Sequence, residues 1–493
     1  MLYESTRNNT VKIPAAKAIV KGISEEGGLF VPSSLPGISE SELKMMENLS
    51  YSERAEIVFT KFFTDFTQEE ISYCVRAAYG DNFDVPEVAK IVEVGDAQIL
   101  ELWHGPTSAF KDMALQILPF LMTTSMKKID NSDEIIILTA TSGDTGKAAL
   151  EGFADAPGIE IAVFYPENGV SEIQKLQMAT QNGSNVLVCA VTGNFDDCQT
   201  AVKKIFTDKI ITEKAKNNGK MFSSANSINL GRLIPQVVYY ISAYVDAVKN
   251  GTVKMGEKIN ICVPTGNFGN ILAAYYAKQM GIPVNKLICA SNENNILTDF
   301  INTGIYDKNR EFITTISPSM DILISSNLER LLYHLCGNDS GKITEIYSAL
   351  NENGKFAIDE NVFMKLKADF VAGYCDDKET KEQIKETFDK CSYLCDTHTA
   401  VAVRVYNDYR EKTHDFTPTV IASTANPYKF SAAILSAFGE TAVSDFEAAK
   451  RLNEITGEPI PEKIAELRTK KVRFTYSRTP DLLPEYVLEK LIS

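Results

Sequence analysis

The chain has 493 residues, of which 44% are apolar, so it is long enough for two or three domains around a large core. Its formal net charge of −15 provides no general basic field, which argues against nucleic-acid and membrane-surface partners. Nine scattered cysteines and an N-terminus without a basic and then apolar pattern predict a cytoplasmic protein.

The first 90 residues predict an extended opening followed by helices. A Gly-Gly pair at residues 27–28 precedes Leu-Phe-Val and is typical of a turn into a short strand. The pattern then becomes helical from about residue 39 to residue 79. We expect these residues, 1–90, to form an N-terminal segment of their own.

From residue 91 onward, short apolar strands alternate with helices, which predicts parallel sheets covered by helices on both faces. The predicted strands are 99–103, 134–139, 159–165, 186–191, 258–263, 286–290 and 419–422. The repeated pattern predicts an α/β protein with two blocks, 91–250 and 251–493. Residues 296–395 interrupt the second block as a mostly helical, charged insertion.

A lysine stands at the end of the first strand of this pattern. The motif His-Gly-Pro-Thr-Ser-Ala-Phe-Lys-Asp at residues 104–112 predicts a turn and a helix from about Ser108, with Lys111 in its first turn. A helix N-terminus and apolar neighbours both disfavour an ammonium group, so we expect a lowered pKa and an amine that attacks aldehydes. The alternative is an ordinary surface lysine.

Two loops join a strand to a helix in the manner of phosphate-binding loops. Pro-Thr-Gly-Asn-Phe-Gly-Asn at residues 264–270 lets backbone amides approach an anion at a helix N-terminus, although a purely structural turn is the alternative. Thr-Ser-Gly-Asp-Thr-Gly at residues 141–146 is not a P-loop, because its glycines are too close and Ala148 replaces the Ser or Thr.

The 104–112 motif resembles the cofactor-lysine motif of threonine synthases, and at least seven other stretches also resemble this family. The resemblance implies fold type II of pyridoxal-phosphate (PLP) enzymes, the tryptophan synthase β-like fold. It also implies a set of cofactor-binding residues: Lys111 for the aldehyde, Thr424 for the pyridine nitrogen, and Gly266, Asn267, Phe268, Gly269 and Asn270 for the phosphate. Asn426 stands where the family usually has His.

The resemblance further implies a substrate site. Loop 141–146 is similar to the loop that surrounds the substrate carboxylate and the phenolic oxygen of the cofactor, where the carboxylate of Asp144 would need a shared proton or a reoriented side chain. The expected substrate-binding residues are Thr107, Ser108, Thr141, Ser142, Gly143, Asp144 and Thr145, with Asn226, Arg232 and Lys429 as candidates for the substrate phosphate. Structural salt bridges are the alternative for the last three.

Two further polar stretches carry other interpretations. Cys391, Cys395 and His398 lack a fourth ligand and have wide spacing, so we expect no metal site there. We expect His398 to be a satisfied structural histidine. No apolar run approaches the roughly 20 residues that a membrane helix needs.

The family resemblance implies the conversion of O-phospho-L-homoserine and water to L-threonine and phosphate, with Lys111 as the proton shuttle. Two alternatives remain open: a PLP-dependent phospho-lyase that releases a keto acid, and a non-catalytic PLP-binding homologue. The expected partner is a small-molecule substrate, without nucleic acid, membrane or metal. We expect a monomer, with a dimer as the alternative.

Overall fold

The computed structural model describes residues 1–492, without the side chains of residues 195 and 196. Its strands are β1 (Tyr3–Ser5), β2 (Asn8–Ile13), β3 (Phe30–Pro32), β4 (Lys90–Val94), β5 (Ala97–Glu101), β6 (Glu134–Ala140), β7 (Ile159–Pro166), β8 (Val186–Val191), β9 (Lys220–Ser223), β10 (Ile259–Pro264), β11 (Val284–Ser291), β12 (Ile305–Asp307), β13 (Lys355–Ala357), β14 (Phe370–Tyr374), β15 (Thr419–Ser423) and β16 (Ser477–Arg478).

Helices occupy most of the remaining chain. They are α1 (Ala15–Lys21), α2 (Glu40–Met46), α3 (Tyr51–Phe62), α4 (Gln68–Ala78), α5 (Asp112–Leu115), α6 (Leu118–Lys128), α7 (Asp144–Phe153), α8 (Glu172–Ala179), α9 (Phe195–Thr207), α10 (Lys209–Asn217), α11 (Leu230–Lys249), α12 (Gly269–Met280), α13 (Ile296–Thr303), α14 (Leu328–Leu335), α15 (Ser340–Asn353), α16 (Glu360–Asp369), α17 (Asp377–Cys391), α18 (Thr397–Thr413), α19 (Ser431–Ala437), α20 (Asp445–Thr456), α21 (Glu462–Ala465) and α22 (Leu483–Val487). Across residues 1–492, none of them combines the length and apolar character needed to cross a bilayer.

Two large sheets form the centre of the molecule. The first has the strand order β14-β11-β10-β15-β5-β4 and is parallel except for the β4–β5 pair. The second has the order β16-β8-β7-β6-β9 and is parallel throughout. Buried aliphatic residues fill both sheets, as expected for strands covered by helices on two faces.

The sheets do not follow the sequence blocks 91–250 and 251–493. Strand β5 precedes Lys111, yet it pairs with β15 in the sheet of the second block. Strand β16, close to the C-terminus, pairs with β8 in the other sheet. Strand β14 lies within the predicted insertion but pairs with β11 at the edge of the six-stranded sheet. These pairings join segments far apart in sequence, so local periodicity does not reveal them.

The N-terminal segment contains three helices where the sequence pattern predicted a helical stretch. Each begins with a capping box, formed by Ser39, Ser50 and Thr67 with the Glu three residues later. The cap side chains accept bonds from backbone N–H groups that have no partner inside the helix. The stretch is therefore divided into α2, α3 and α4.

The loops that carry the predicted chemistry lie at the carboxyl ends of strands. Strands β5, β10 and β15 are neighbours in one parallel group, and they lead into loops 102–111, 265–268 and 424–430. Strand β6 of the other sheet leads into loop 141–143. Ligand sites of α/β proteins form at this end of the strands. The topology brings the four loops together.

Candidate active site

The Lys111 segment is held by a second backbone segment. The N–H of Phe110 donates to the carbonyl of Thr424 at 2.8 Å, and the N–H of Asn426 donates to the carbonyl of Ser108 at 3.0 Å. Ser108 has a φ of +60°, in the left-handed region. The predicted helix start at Ser108 is therefore wrong: α5 begins at Asp112, and Lys111 is its N-cap residue.

The amine of Lys111 is buried among polar groups. Its Nζ donates to Ser319 Oγ at 3.3 Å and lies 3.8 Å from Asp144 Oδ2. Burial lowers the pKa of Lys111 to about 8; the positive charges of Lys429 and Arg232 act in the same direction, and Asp144 opposes them. The expected lowering is confirmed, and its main cause is desolvation. A larger fraction of free amine at neutral pH follows.

Asp144 and Lys429 form an ion pair at the first turn of α7. Lys429 Nζ lies 2.7 Å from Asp144 Oδ1, and both side chains are buried. Burial alone would raise the pKa of Asp144, but the charges of Lys429 and Lys111 hold it well below its usual value. Asp144 is therefore ionised, and Lys429 compensates its charge. The shared proton or reoriented side chain expected beside the phenolic oxygen of the cofactor stays a prediction. Lys429 also donates to the carbonyl of Thr107 at 3.0 Å.

Asp112 fixes the turn before Lys111. It accepts bonds from the N–H of Thr107 at 2.8 Å and from its hydroxyl at 2.7 Å. Burial raises the pKa of Asp112 to about 6, while the bonds from Thr107 oppose the shift. The Thr107 hydroxyl, predicted to face substrate, is thus occupied by Asp112. The buried hydroxyl of Ser108 has no hydrogen-bond partner within residues 1–492.

Loop 264–270 has an unusual conformation before α12. Phe268 adopts a left-handed conformation with φ +60°, and Gly269 begins the helix. A Cβ atom at Gly266 would lie 2.5 Å from the carbonyl oxygen of Ser319, so only glycine fits there. Asn267 is exposed, whereas Asn270 is buried, and the amide nitrogen of Asn270 has no partner in the described part of the chain.

Arg232 brings a buried positive charge to the site from the first turn of α11. Its Nη1 donates to the carbonyl of Ala225 at 2.6 Å, while Nε has no hydrogen-bond partner among the described residues. No carboxylate of residues 1–492 forms an ion pair with it. Burial lowers the pKa of Arg232 to about 10, so it stays charged at neutral pH. Asn226, just before α11, is half-buried.

The remaining predicted residues surround the same loops. Thr141 Oγ1 accepts bonds from the N–H groups of Gly143 and Gly146, which shapes the turn, and Gly143 has a φ of +131°. Ser142 and Thr145 are half-buried. Thr424 is buried directly after β15, next to the Lys111 segment.

Comparisons with known proteins agree along the whole chain. The family models "Threonine synthase N terminus", "Pyridoxal-phosphate dependent enzyme" and "Threonine synthase, C-terminal" match residues 2–79, 99–422 and 399–485. Threonine synthase of Saccharomyces cerevisiae is 35% identical over 521 residues, covering 99% of this chain and 98% of the relative. The chain belongs to the threonine synthase family of pyridoxal-phosphate dependent enzymes.

Two further relatives extend the comparison. The PLP-bound threonine synthase of Brucella melitensis has a TM-score of 0.88 and 34% identity, and the match covers 99% of both chains. Human threonine synthase-like 1 is 42% identical over 472 residues, covering 92% of this chain; the match spans 62% of that longer relative. The predicted fold type and the PLP cofactor are confirmed.

The residues present fit this cofactor. Lys111 offers a buried amine of lowered pKa, and loop 264–270 places a helix N-terminus beside it through the contact of Gly266 with Ser319. A buried donor of this helix N-terminus, Asn270 Nδ2, has no partner within residues 1–492. An unpartnered donor at a helix N-terminus suits a phosphate.

Sequence reasoning missed two side chains of this threonine synthase family site. Ser319 contacts both Lys111 and Asp144; it lies in the stretch 317–322, which resembles the family, but no pattern assigned it a contact. Gln174 donates to Asp144 Oδ1 at 3.0 Å from the first turn of α8. His398 bonds Asp396 and the backbone of Ser319, as expected for a satisfied histidine.

A polar cluster around His104 stabilises the loop that precedes Lys111. His104 lies between Asp84 and Glu101, with its Nε2 3.0 Å from Glu101 Oε2. Burial lowers the pKa of His104, but the hydrogen bonds to the two carboxylates outweigh this and raise it overall. Lys463 of α21 donates to the carbonyls of His104 and Gly105, at 3.2 Å and 2.6 Å. The C-terminal segment thereby fixes the loop that carries Lys111.

Proposed function

We propose that this protein is a threonine synthase that converts O-phospho-L-homoserine and water to L-threonine and phosphate, and that it acts as a carbon–oxygen lyase. The observation that carries the proposal is the buried Lys111 amine, with a pKa of about 8, beside the ionised Asp144 and near the buried Arg232. This site combines a nucleophilic amine with a cation for an anionic substrate.

The cofactor would be held by three parts of the chain. Lys111 would bind its aldehyde, residues 266–270 its phosphate, and the Thr424 hydroxyl would face its ring nitrogen. When bound, PLP supplies an electron sink that makes protons on carbons next to the amino group acidic. A neutral hydroxyl leaves the ring nitrogen without a full positive charge, unlike a carboxylate partner.

The chain's own side chains would direct the reaction of the substrate. Lys111 would remove protons from Cα and Cβ of the substrate, so that phosphate leaves Cγ, and would return protons to Cγ and Cα while water adds at Cβ. Its pKa of about 8 lets the amine both accept and return a proton near neutral pH. Arg232 would bind the departing phosphate, because its guanidinium is buried without a carboxylate partner among residues 1–492.

Lys429 is the weaker candidate for the phosphate. Its ammonium is fully buried and already paired with Asp144 and the carbonyl of Thr107. Binding a phosphate there would break this ion pair and leave Asp144 exposed to a second anion. We therefore assign Lys429 to charge compensation and Arg232 to the substrate phosphate.

Product analysis tests the proposed reaction. Purified protein with PLP and O-phospho-L-homoserine should release threonine and phosphate in equal amounts, and Lys111→Ala should release neither. Phosphate with a keto acid instead of threonine would establish the phospho-lyase alternative. The absence of any product, with cofactor bound to Lys111, would establish a non-catalytic homologue.

The phosphate assignment has its own test. Arg232→Gln should raise the KM for O-phospho-L-homoserine by about tenfold or more, because one buried charge-assisted contact is worth about 1.5–3 kcal/mol. Binding of unphosphorylated homoserine, measured by its effect on the cofactor absorbance, should be unchanged. An unchanged KM for the phosphorylated substrate would refute the assignment.

A further inference from the structure

We propose that Ser319 is a positioning residue that orients the Lys111 amine and leaves its lone pair free for the aldehyde of the cofactor. This inference rests on the proposed role of Lys111 as the cofactor lysine. It adds a residue that is separated from Lys111 by 208 positions in the sequence.

The hydrogen bonds of Ser319 have a fixed direction. Ser319 Oγ lies 3.3 Å from Lys111 Nζ and 3.5 Å from Asp144 Oδ2. An ionised carboxylate only accepts hydrogen bonds, and a hydroxyl has a single proton to donate. The Ser319 proton therefore points to Asp144, and its oxygen accepts an N–H of Lys111.

The direction matters for the nucleophile. A neutral amine reacts through its one lone pair, and a freely rotating hydroxyl competes for this pair by donating to it. With its proton directed towards the Asp144 carboxylate, the Ser319 hydroxyl instead accepts an N–H hydrogen bond from the amine. The lone pair of Lys111 is left for the carbonyl carbon.

The backbone of Ser319 is held in place by a histidine. The N–H of Ser319 donates to His398 Nε2 at 3.2 Å, so that ring nitrogen carries no proton. His398 Nδ1 therefore bears the proton and donates to Asp396 Oδ1 at 2.9 Å. Asp396 is itself fixed as the N-cap residue of α18.

A second set of bonds fixes the loop on the other side. Asp321 accepts bonds from the N–H of Thr315 at 3.0 Å, from its hydroxyl at 2.7 Å and from Asn292 Nδ2 at 2.7 Å. The carbonyl of Ser319 packs so close to Gly266 that a Cβ there would lie 2.5 Å away. Ser319 thus has a defined position relative to both Lys111 and the predicted phosphate loop.

The test measures the rate at which the Lys111 amine condenses with the aldehyde of the cofactor, and not the turnover of substrate. The full chain, freed of cofactor, is mixed with pyridoxal 5′-phosphate, the visible absorbance gives the rate, and borohydride followed by peptide mapping locates the label. Ser319→Ala should slow the condensation about five- to tenfold, which corresponds to the loss of one hydrogen bond. Ser319→Thr keeps the hydroxyl and should stay within about twofold of wild type.

The pH profile separates orientation from protonation. The charged groups that act on Lys111 are Asp144, Lys429 and Arg232, and all three remain in Ser319→Ala. The rate deficit should therefore persist at pH 9.5, where the amine is neutral in both proteins. A deficit that vanishes at that pH would overturn the inference, because it would reflect a shifted pKa of Lys111.

Control variants complete the design. Ser317→Ala removes a buried hydroxyl of the same loop that bonds Asn292 Nδ2 at 3.0 Å, and it should condense at the wild-type rate. Ser319→Cys, a second variant with a weaker donor, should also be slowed. Wild-type rates in Ser319→Ala, or an equal loss in Ser317→Ala, would overturn the inference. A wild-type protein without label on Lys111 would instead overturn the proposed function.

Discussion

Lys429→Met should strongly destabilise this protein, because it removes one partner of a buried ion pair. The Lys429 side chain is 0% exposed and that of Asp144 is 4% exposed, with 2.7 Å between Nζ and Oδ1. Methionine keeps the unbranched shape, so the main loss is the charge and its bond to the Thr107 carbonyl. Asp144 would keep only the more distant Lys111, 3.8 Å away.

The magnitude follows from the cost of an uncompensated buried charge. Removing one partner of such a pair costs about 3–5 kcal/mol, and the remaining contact with Lys111 favours the lower end. In the wild type the pKa of Asp144 is lower in the folded protein than in the unfolded chain, so ionised Asp144 contributes to stability. This contribution is fully present when the pH is above the ordinary carboxyl pKa near 4, and it declines at lower pH. In Lys429→Met the pKa of Asp144 should rise, so the loss should be smaller at pH 5 than at pH 8.

Urea unfolding at both pH values measures this effect. Trp103 is the single tryptophan of the chain, and its indole N–H donates to Ser423 Oγ at 3.0 Å, so its fluorescence reports on the Lys111 segment. The double variant Asp144→Asn with Lys429→Met should recover at least about half of the lost free energy of unfolding. A wild-type midpoint for Lys429→Met, or no recovery in the double variant, would refute the reasoning.

Three further predictions concern the proposed cofactor-binding residues. In the protein freed of cofactor, labelling of Lys111 by an aldehyde and borohydride should rise with a midpoint near pH 8, and a midpoint near the ordinary value of 10.5 would contradict the burial argument. Thr424→Asp should protonate the ring nitrogen of bound PLP, changing its absorbance and increasing keto-acid side products; an unchanged spectrum would show that Thr424 does not touch the ring. Gly266→Ala should weaken PLP binding at least about tenfold, since the new Cβ would displace the Ser319 carbonyl; equilibrium dialysis with wild-type affinity would contradict this.

Much of the local structure could be predicted from the sequence. The alternation of apolar strands and helices follows from side-chain periodicity, and the capping residues Ser39, Ser50 and Thr67 mark helix starts. The loops after β6 and β10 were identified because their glycines and polar residues follow apolar runs, whereas the loops after β5 and β15 were identified from motifs that resemble the family. Parallel topology then brings such loops to the same end of the sheets.

The start of the Lys111 helix shows where local reasoning fails. Residues 108–112 have a reasonable helical pattern, but Ser108 and Phe110 pair instead with the backbone of residues 424–426. Hydrogen bonds to a distant segment outweigh a weak local preference. The lowered pKa of Lys111 was correctly predicted from its apolar neighbours, although its main cause is burial in the folded protein.

The sequence by itself determined the family, the fold class and the lysine on which the proposed chemistry depends, because these follow from short contiguous motifs. Only the tertiary structure decided that β5 joins the sheet of β10 and β15, that Lys429 neutralises Asp144, and that Ser319 meets Lys111. Such contacts join residues that are hundreds of positions apart. Their energies depend on burial and distance in the folded chain, and local sequence patterns contain neither quantity.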